Sequence, residues 1–243
     1  FYMFIILAVE FTKFSASISG LKIQPSTTFI LSFITLIGAG TGLLMLPAMT
    51  VNPGSMSWLD ALFTSVSATC VTGLIVVDTA TFFTYKGQVV ILFLIQLGGI
   101  GIVSFASFFA TFIKGGVGIK HHAMLQDVTS SESLNTAKGL LRKVIQITFI
   151  IEGITFLLLY FTWGEGVEFN SIKDKIFFTL FHAISAFCNA GFSLFTNNLY
   201  EPIMREAYIF HLVIAVSVIL GGIGFNTIED LLSPTALRNR LKR

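Results

Sequence analysis

Ser67–Leu74, SATCVTGL, sets small, hydroxyl-bearing and glycine residues inside an unusually apolar chain. Neither a spanning helix nor a strand favours that mixture. The chemistry it suits is cation coordination by the main chain. A dehydrated cation at membrane depth must replace its water shell, and rings of backbone carbonyls do this without fixed charge. Such a loop is extended, with its carbonyls facing inward, and it needs positive φ at points that glycine visits without a Cβ penalty. Ser185–Gly191, SAFCNAG, matches Ser67–Gly73 at four of seven positions with an offset of 118. Gly73 and Gly191 are therefore the positions expected at positive φ. Ser67, Ala68, Ser185 and Ala186 are small enough for the preceding helices to approach their neighbours closely.

Other reactive side chains are few. Cys70 and Cys188 belong to no CxxC or Cys/His pattern with metal spacing, which argues against a disulfide framework. Their equivalent positions could bring them together around an axis, or both are simply small, buried and reduced. Asn189 either orients its loop through side-chain hydrogen bonds or faces the ion path. His182 reads as a buried hydrogen-bonding residue rather than a proton or metal carrier. Asp60 reads as a helix N-terminal cap or dipole partner. Asp78, just after the first loop, could concentrate cations at an outer mouth. Glu152 is the sole acid in mid-span, where an unpaired charge costs ~2.5 to 3.5 kcal/mol or more, so a hydrogen-bonded partner is expected, with proton coupling the alternative. His121 and His122 read as solvated. The GGIG runs lack GxGxxG spacing, and no GxSxG, HExxH or Walker A sequence occurs. Neither an enzyme, a nucleotide site nor a bound cofactor is expected in this chain.

The elements that must position these residues are membrane helices. The 243 residues are 54% hydrophobic, and the mean hydropathy is +0.83, outside the range of an ordinary soluble domain. The net charge of +2 selects no nucleic-acid partner. Four apolar stretches, Thr27–Leu46, Gln88–Ile113, Val144–Thr162 and Tyr208 to about Ile228, predict four crossings. Between them lie two helix-like stretches too short to cross, Ser57–Ala68 and Asp174–Ala186, which read as buried or re-entrant. Lys114, Lys120, Lys138, Arg142 and Lys143, and in the tail Arg238, Arg240, Lys242 and Arg243, make two basic sides. The positive-inside rule puts those sides in the cytoplasm and both short helices outside. The opening FYMFIILAVEF lacks a basic n-region and a cleavage site, and reads as the tail of an earlier helix in a longer protein.

Leu97-Gly98-Gly99-Ile100-Gly101 returns intact as Leu220-Gly221-Gly222-Ile223-Gly224, an offset of 123. Two matches in the same order predict a duplication. The organisation is a preceding segment and linker over 1–26, a first unit over 27–113, a cytoplasmic connection over 114–143, a second unit over 144–230 and a basic tail over 231–243. The two units share one orientation, unlike the inverted repeats of many secondary transporters.

SATCVTGLIVVDT and FHAISAFCNAGFSLF, each followed by LGGIG, resemble the first and second pore loops of the Trk/Ktr/HKT superfamily of potassium transporters. The resemblance implies an all-α membrane protein of helix, pore helix, filter loop and helix, four such units around one pore, of which this chain holds two. It implies a filter made by the backbone of Thr69, Cys70, Val71, Thr72 and Gly73 and of Phe187, Cys188, Asn189, Ala190 and Gly191, with K+ as the transported ion. Glycine at 73 and 191 implies potassium rather than sodium preference. It also implies a bacterial inner-membrane location, contact with lipid, a homodimer of complete pore subunits and a cytosolic nucleotide-binding regulatory ring on the inner face. A sodium-preferring member, or a non-conducting accessory subunit, is the alternative.

Overall fold

The computed structural model describes residues 25–114, 130–164, 166–225 and 227–228. The expectations for residues 1–24, for His121 and His122 and for the basic tail lie outside these residues. The chain divides into two compact units, residues 1–35 and 36–243. In the first, residues 25–35 form the opening turns of helix α1, Pro25–Leu44. Phe29 and Phe33 stack one turn apart, with ring centroids at 4.5 Å. The Ser32 and Thr35 hydroxyls donate to the carbonyls of Phe29 and Leu31, which satisfies polar side chains on an apolar helix.

Among its described residues the second unit holds the end of α1 and five further helices: α2 Trp58–Thr69, α3 Tyr85–Lys114, α4 Ser130–Phe161, α5 Ile172–Phe187 and α6 Tyr208–Ile223. Among the described residues the only extended pairing is an isolated bridge between Thr50 and Phe83. The all-helical expectation therefore holds. Among the described residues three stretches are long and apolar enough to cross a membrane: Ser26–Leu44, Tyr85–Ser107 and Gly139–Phe161.

Two boundaries differ from the sequence reading. The third span was expected from Val144, whereas α4 starts at Ser130; its proline-free opening sustains a helix without adding apolar length. The fourth was expected to reach about Ile228, whereas α6 has 16 residues, about 24 Å at 1.5 Å per residue. That is short of a ~30 Å hydrocarbon core. Its end is set by Gly224, at φ 88°.

Each short helix sits on an excursion that returns to where it left. After α1, a 3-10 turn at Pro47–Met49 runs beside the start of α3. Val51 N–H donates to Phe82 C=O at 3.0 Å, Thr84 N–H to Met49 C=O at 2.9 Å and the Thr84 hydroxyl to Ala48 C=O at 2.8 Å. After α4, the Trp163 ring lies 4.6 Å from that of Phe210 on α6. Both short helices open on the same cap. Ser57 and Ser171 each accept from the N–H three residues on, at Asp60 and Asp174, and both aspartates lie in the first turn, where negative charge opposes the helix dipole.

The core packs α2 and α3 against α5. Leu44, Ile91, Ile95 and Phe181 are fully buried in one cluster. A second cluster of Leu159, Ala183, Met204 and Phe210 lies between α4, α5 and α6. Large apolar side chains on α4 and α6 stay exposed, among them Phe161, Leu157, Ile209 and Ile219. That suits helices whose solvent is lipid.

Candidate ion-binding site

The two loops leave their helices by the same route. Val71 N–H donates to Ala68 C=O at 3.3 Å and Thr72 N–H to Ser67 C=O at 2.9 Å. In the second loop Asn189 N–H donates to Ala186 C=O at 3.0 Å and Ala190 N–H to Ser185 C=O at 2.8 Å. This paired pattern is the Schellman motif, in which the residue after the helix cap turns left-handed. That residue is Val71 at φ 58° and Asn189 at φ 59°. Asparagine suits the conformation; a β-branched valine does not, and strain of this kind costs on the order of 1–3 kcal/mol. Two residues later Gly73 and Gly191 take φ 74° and 72°, as expected from the sequence.

Serine hydroxyls hold each loop to its helix. The Thr72 hydroxyl donates to Ser67 Oγ at 3.0 Å, and Ser185 Oγ donates to Phe192 C=O at 2.6 Å. The loops also meet. A Cβ on Gly73 would lie 2.6 Å from the Ala190 carbonyl oxygen and 3.2 Å from Gly191 Cα, and one on Gly191 would lie 3.3 Å from Gly73 Cα. Only paired glycines allow that approach. Gly191 C=O accepts from Asn198 Nδ2 at 3.2 Å.

The LGGIG runs explain themselves at this point. A Cβ on Gly98 would run into Thr69 C=O, and one on Gly221 into Phe187 C=O. Each glycine thus seats the last carbonyl of a short helix against the helix that follows it. The offsets of 118 between the loops and 123 between the LGGIG runs together relate these contacts. Sequence reasoning placed both runs but did not find what they touch.

Cys70 and Cys188 are free thiols, and both line a cavity of about 280 Å³ together with Val71, Gly99, Thr148 and Asn189. Among the described residues no group of three or more His, Cys, Asp or Glu side chains could hold a metal ion. Thr69 Oγ1 is buried with no hydrogen-bond partner among the described residues. Asn189 Nδ2 lies 3.5 Å from Phe187 C=O; turning the amide over lets it donate instead to Val218 C=O at 3.1 Å and accept from Gly222 N–H at 3.3 Å.

Glu152, 4% exposed, accepts from Gln96 Nε2 at 3.0 Å, and the Cys188 thiol stands 3.9 Å from its other oxygen. The expected partner on another helix is present, and Gln96 is the residue that sequence reasoning missed. His182 is buried; its Nδ1 lies 2.7 Å from Phe178 C=O and its Nε2 3.0 Å from Ser193 Oγ. A carbonyl only accepts, so Nδ1 carries the proton and Nε2 accepts from the serine. Asp78 accepts the Ala80 N–H at 2.8 Å and so shapes the turn after the first loop.

Residues 1–242 match the TrkH family, described as cation transport proteins. The chain is 38% identical over 221 residues to Ktr system potassium uptake protein B of Bacillus subtilis, covering 88% of this chain and 47% of that protein. It is 32% identical over 202 residues to the protein of the same name from Vibrio alginolyticus, covering 83% and 43%. With the potassium/sodium uptake protein NtpJ of Enterococcus hirae it shares 31% identity over 218 residues, covering 87% and 46%. The chain spans about half the length of these curated relatives. Three helices able to cross a bilayer make it a multi-pass membrane protein. With its twin capped loops and a match along nearly its whole length, the chain belongs to the TrkH family of cation transport proteins.

Proposed function

We infer that this chain supplies two of the pore units of a bacterial potassium uptake protein, in which dehydrated K+ passes between backbone carbonyls of the two loops. The observation that carries the reading is the pairing of Gly73 with Gly191, at φ 74° and 72°, in loops that touch at those glycines. Carbonyl coordination asks for such a backbone: left-handed where the chain must reverse its carbonyl direction, and free of side chains where two loops converge. Thr69 and Phe187 begin each filter as anchors against Gly98 and Gly221. The carbonyls of residues 70–73 and 188–191 continue the ion path. The buried Thr69 hydroxyl, without a hydrogen-bond partner among the described residues, adds an oxygen beside the first loop.

Potassium preference is supported by glycine at both filter ends and by the names of two relatives. The relative named for both potassium and sodium supports a sodium-permeable second reading. A homodimer of complete subunits and a cytosolic nucleotide-binding ring complete the proposed assembly, with the basic connection over 114–143 as its inner contact surface.

The test is Rb+ and Na+ uptake in potassium-starved cells that lack their own systems and express the complete native protein, with and without Gly191→Arg. Uptake that prefers Rb+ and disappears in the variant is expected. Equal Rb+ and Na+ entry would favour the sodium-permeable reading. A folded, membrane-inserted protein that gives no flux with its regulatory ring co-expressed would instead identify an accessory subunit.

A further inference from the structure

Asn189 follows the cap of α5, yet its side chain is engaged with another helix. Its amide reaches Val218 C=O and Gly222 N–H, two groups four residues apart on α6. These are the acceptor and donor that an α-helix joins to each other. An amide inserted at such a rung is among the few causes of a sharp helix bend. Gly221 makes room for it, since a Cβ there would come 2.9 Å from the amide.

Two residues beyond Gly222 the helix breaks. Gly224 has φ 88° and ψ 145°, a region open almost only to glycine. Helical bonding then starts afresh, with Ile228 N–H donating to Gly224 C=O at 3.3 Å. The first segment has the same LGGIG run but carries Val71 at the position after the cap. A valine side chain neither donates nor accepts, and α3 continues unbroken to Lys114.

We propose that Asn189 is a positioning residue: its amide wedges α6 and ties the second loop to the break at Gly224, so that the loop and the backbone at Gly224 shift together. The consequence for ions rests on the conducting reading above; the wedge itself does not.

Thermal unfolding of the complete native protein in detergent tests it in four forms: native, Gly224→Ala, Asn189→Gly and the double variant. Glycine keeps the left-handed cap and removes the amide. Among the described residues a Cβ at position 224 meets nothing within 4 Å, so Gly224→Ala is read as a change of backbone conformation. With Asn189 present, Gly224→Ala should lower Tm by roughly 2 °C or more. In the Asn189→Gly background α6 should continue through position 224, and the same substitution should raise Tm. An equal lowering in both backgrounds would overturn the wedge. Should Asn189→Gly give no folded protein, Asn189→Ala asks the same question.

Rb+ and Na+ uptake by the same forms reads the coupling. Gly224→Ala should change the Rb+/Na+ ratio only where Asn189 is present, and an unchanged ratio in both backgrounds would overturn the coupling. A native protein that carries no Rb+ would defeat the conducting reading, while the Tm comparison would still decide the wedge.

Discussion

Leu97–Gly101 and Leu220–Gly224 are the same five residues, but helix α3 passes through the first run and α6 ends inside the second. Their shared part is the contact with a carbonyl, Gly98 on Thr69 and Gly221 on Phe187. Their difference lies at the last glycine, helical at 101 and at φ 88° at 224. A local motif therefore fixes how closely a long helix can approach a short one. What the helix does next depends on a residue in the loop, valine in one case and asparagine in the other. The short helices differ as well. Ala61, Thr64, Ser65 and Ala68 make a small buried face on α2, with Ser65 Oγ donating to Ile37 C=O at 2.8 Å. On α5 the corresponding work falls to rings, where His182 packs among Trp163, Phe178, Phe195 and Phe210. One chain path can be held by close backbone approach or by aromatic bulk.

The largest expected effect tests the shared part. Gly98→Val and Gly221→Val each push a side chain into a backbone carbonyl, which cannot rotate away as a side chain could. Both should abolish recovery of monodisperse protein from membranes, measured by size-exclusion yield. Gly101→Val, at the position where the segments diverge, should retain more protein than either. Full recovery of Gly221→Val would show that the second contact is not built like the first.

Much of this comparison was legible in the sequence because glycine and small residues advertise close approach. The two loop motifs, the two LGGIG runs and the positive φ at Gly73 and Gly191 all follow from residue type and spacing. Val71 was not legible in that way. β-branched residues avoid positive φ, so only the hydrogen bonds of the helix end, which the sequence does not print, place it there. Asn189 left two roles open because an amide serves a loop and an ion equally well; its partners on α6 are about 30 residues away in sequence. The shared caps were half visible. Asp60 reads from sequence as the cap or a dipole partner; Ser57 is the cap, Asp60 donates the N–H that it accepts, and its carboxylate lies in the first turn, as the dipole reading expects. The length of α6 was overestimated because the apolar run continues past Gly224, and hydropathy does not register a break in backbone conformation.

A middle-sized effect sharpens the comparison between the loops. Gly73→Ser and Gly191→Ser both place a Cβ at positive φ, but the first would meet the Ala190 carbonyl oxygen at 2.6 Å and the second only Gly73 Cα at 3.3 Å. Both should reduce discrimination of K+ over Na+, measured as the ratio of uptake rates for Rb+ and Na+. A loss of roughly tenfold, equivalent to about 1.4 kcal/mol, is expected for Gly73→Ser, with a smaller loss for Gly191→Ser. A reversed order would mean that contact between the loops does not set the selectivity. Unchanged selectivity in either would count against that loop as a filter.

The smallest expected effect concerns a feature that only the first loop has in this form, the carboxylate of Asp78 shortly after it. Asp78 Oδ1 accepts the Ala80 N–H, and an asparagine oxygen can accept it in the same way. Asp78→Asn therefore keeps the turn and removes only the charge. If that charge concentrates cations at the outer mouth, the variant should raise the apparent KM for Rb+ by less than about tenfold at low ionic strength, with kcat unchanged. The difference should fade as salt shortens the Debye length to about 8 Å near 0.15 M. An equal KM at low salt would leave Asp78 with the turn alone. A rise that persists at high salt would point to direct contact with the ion, because a contact is far less screened than a long-range field.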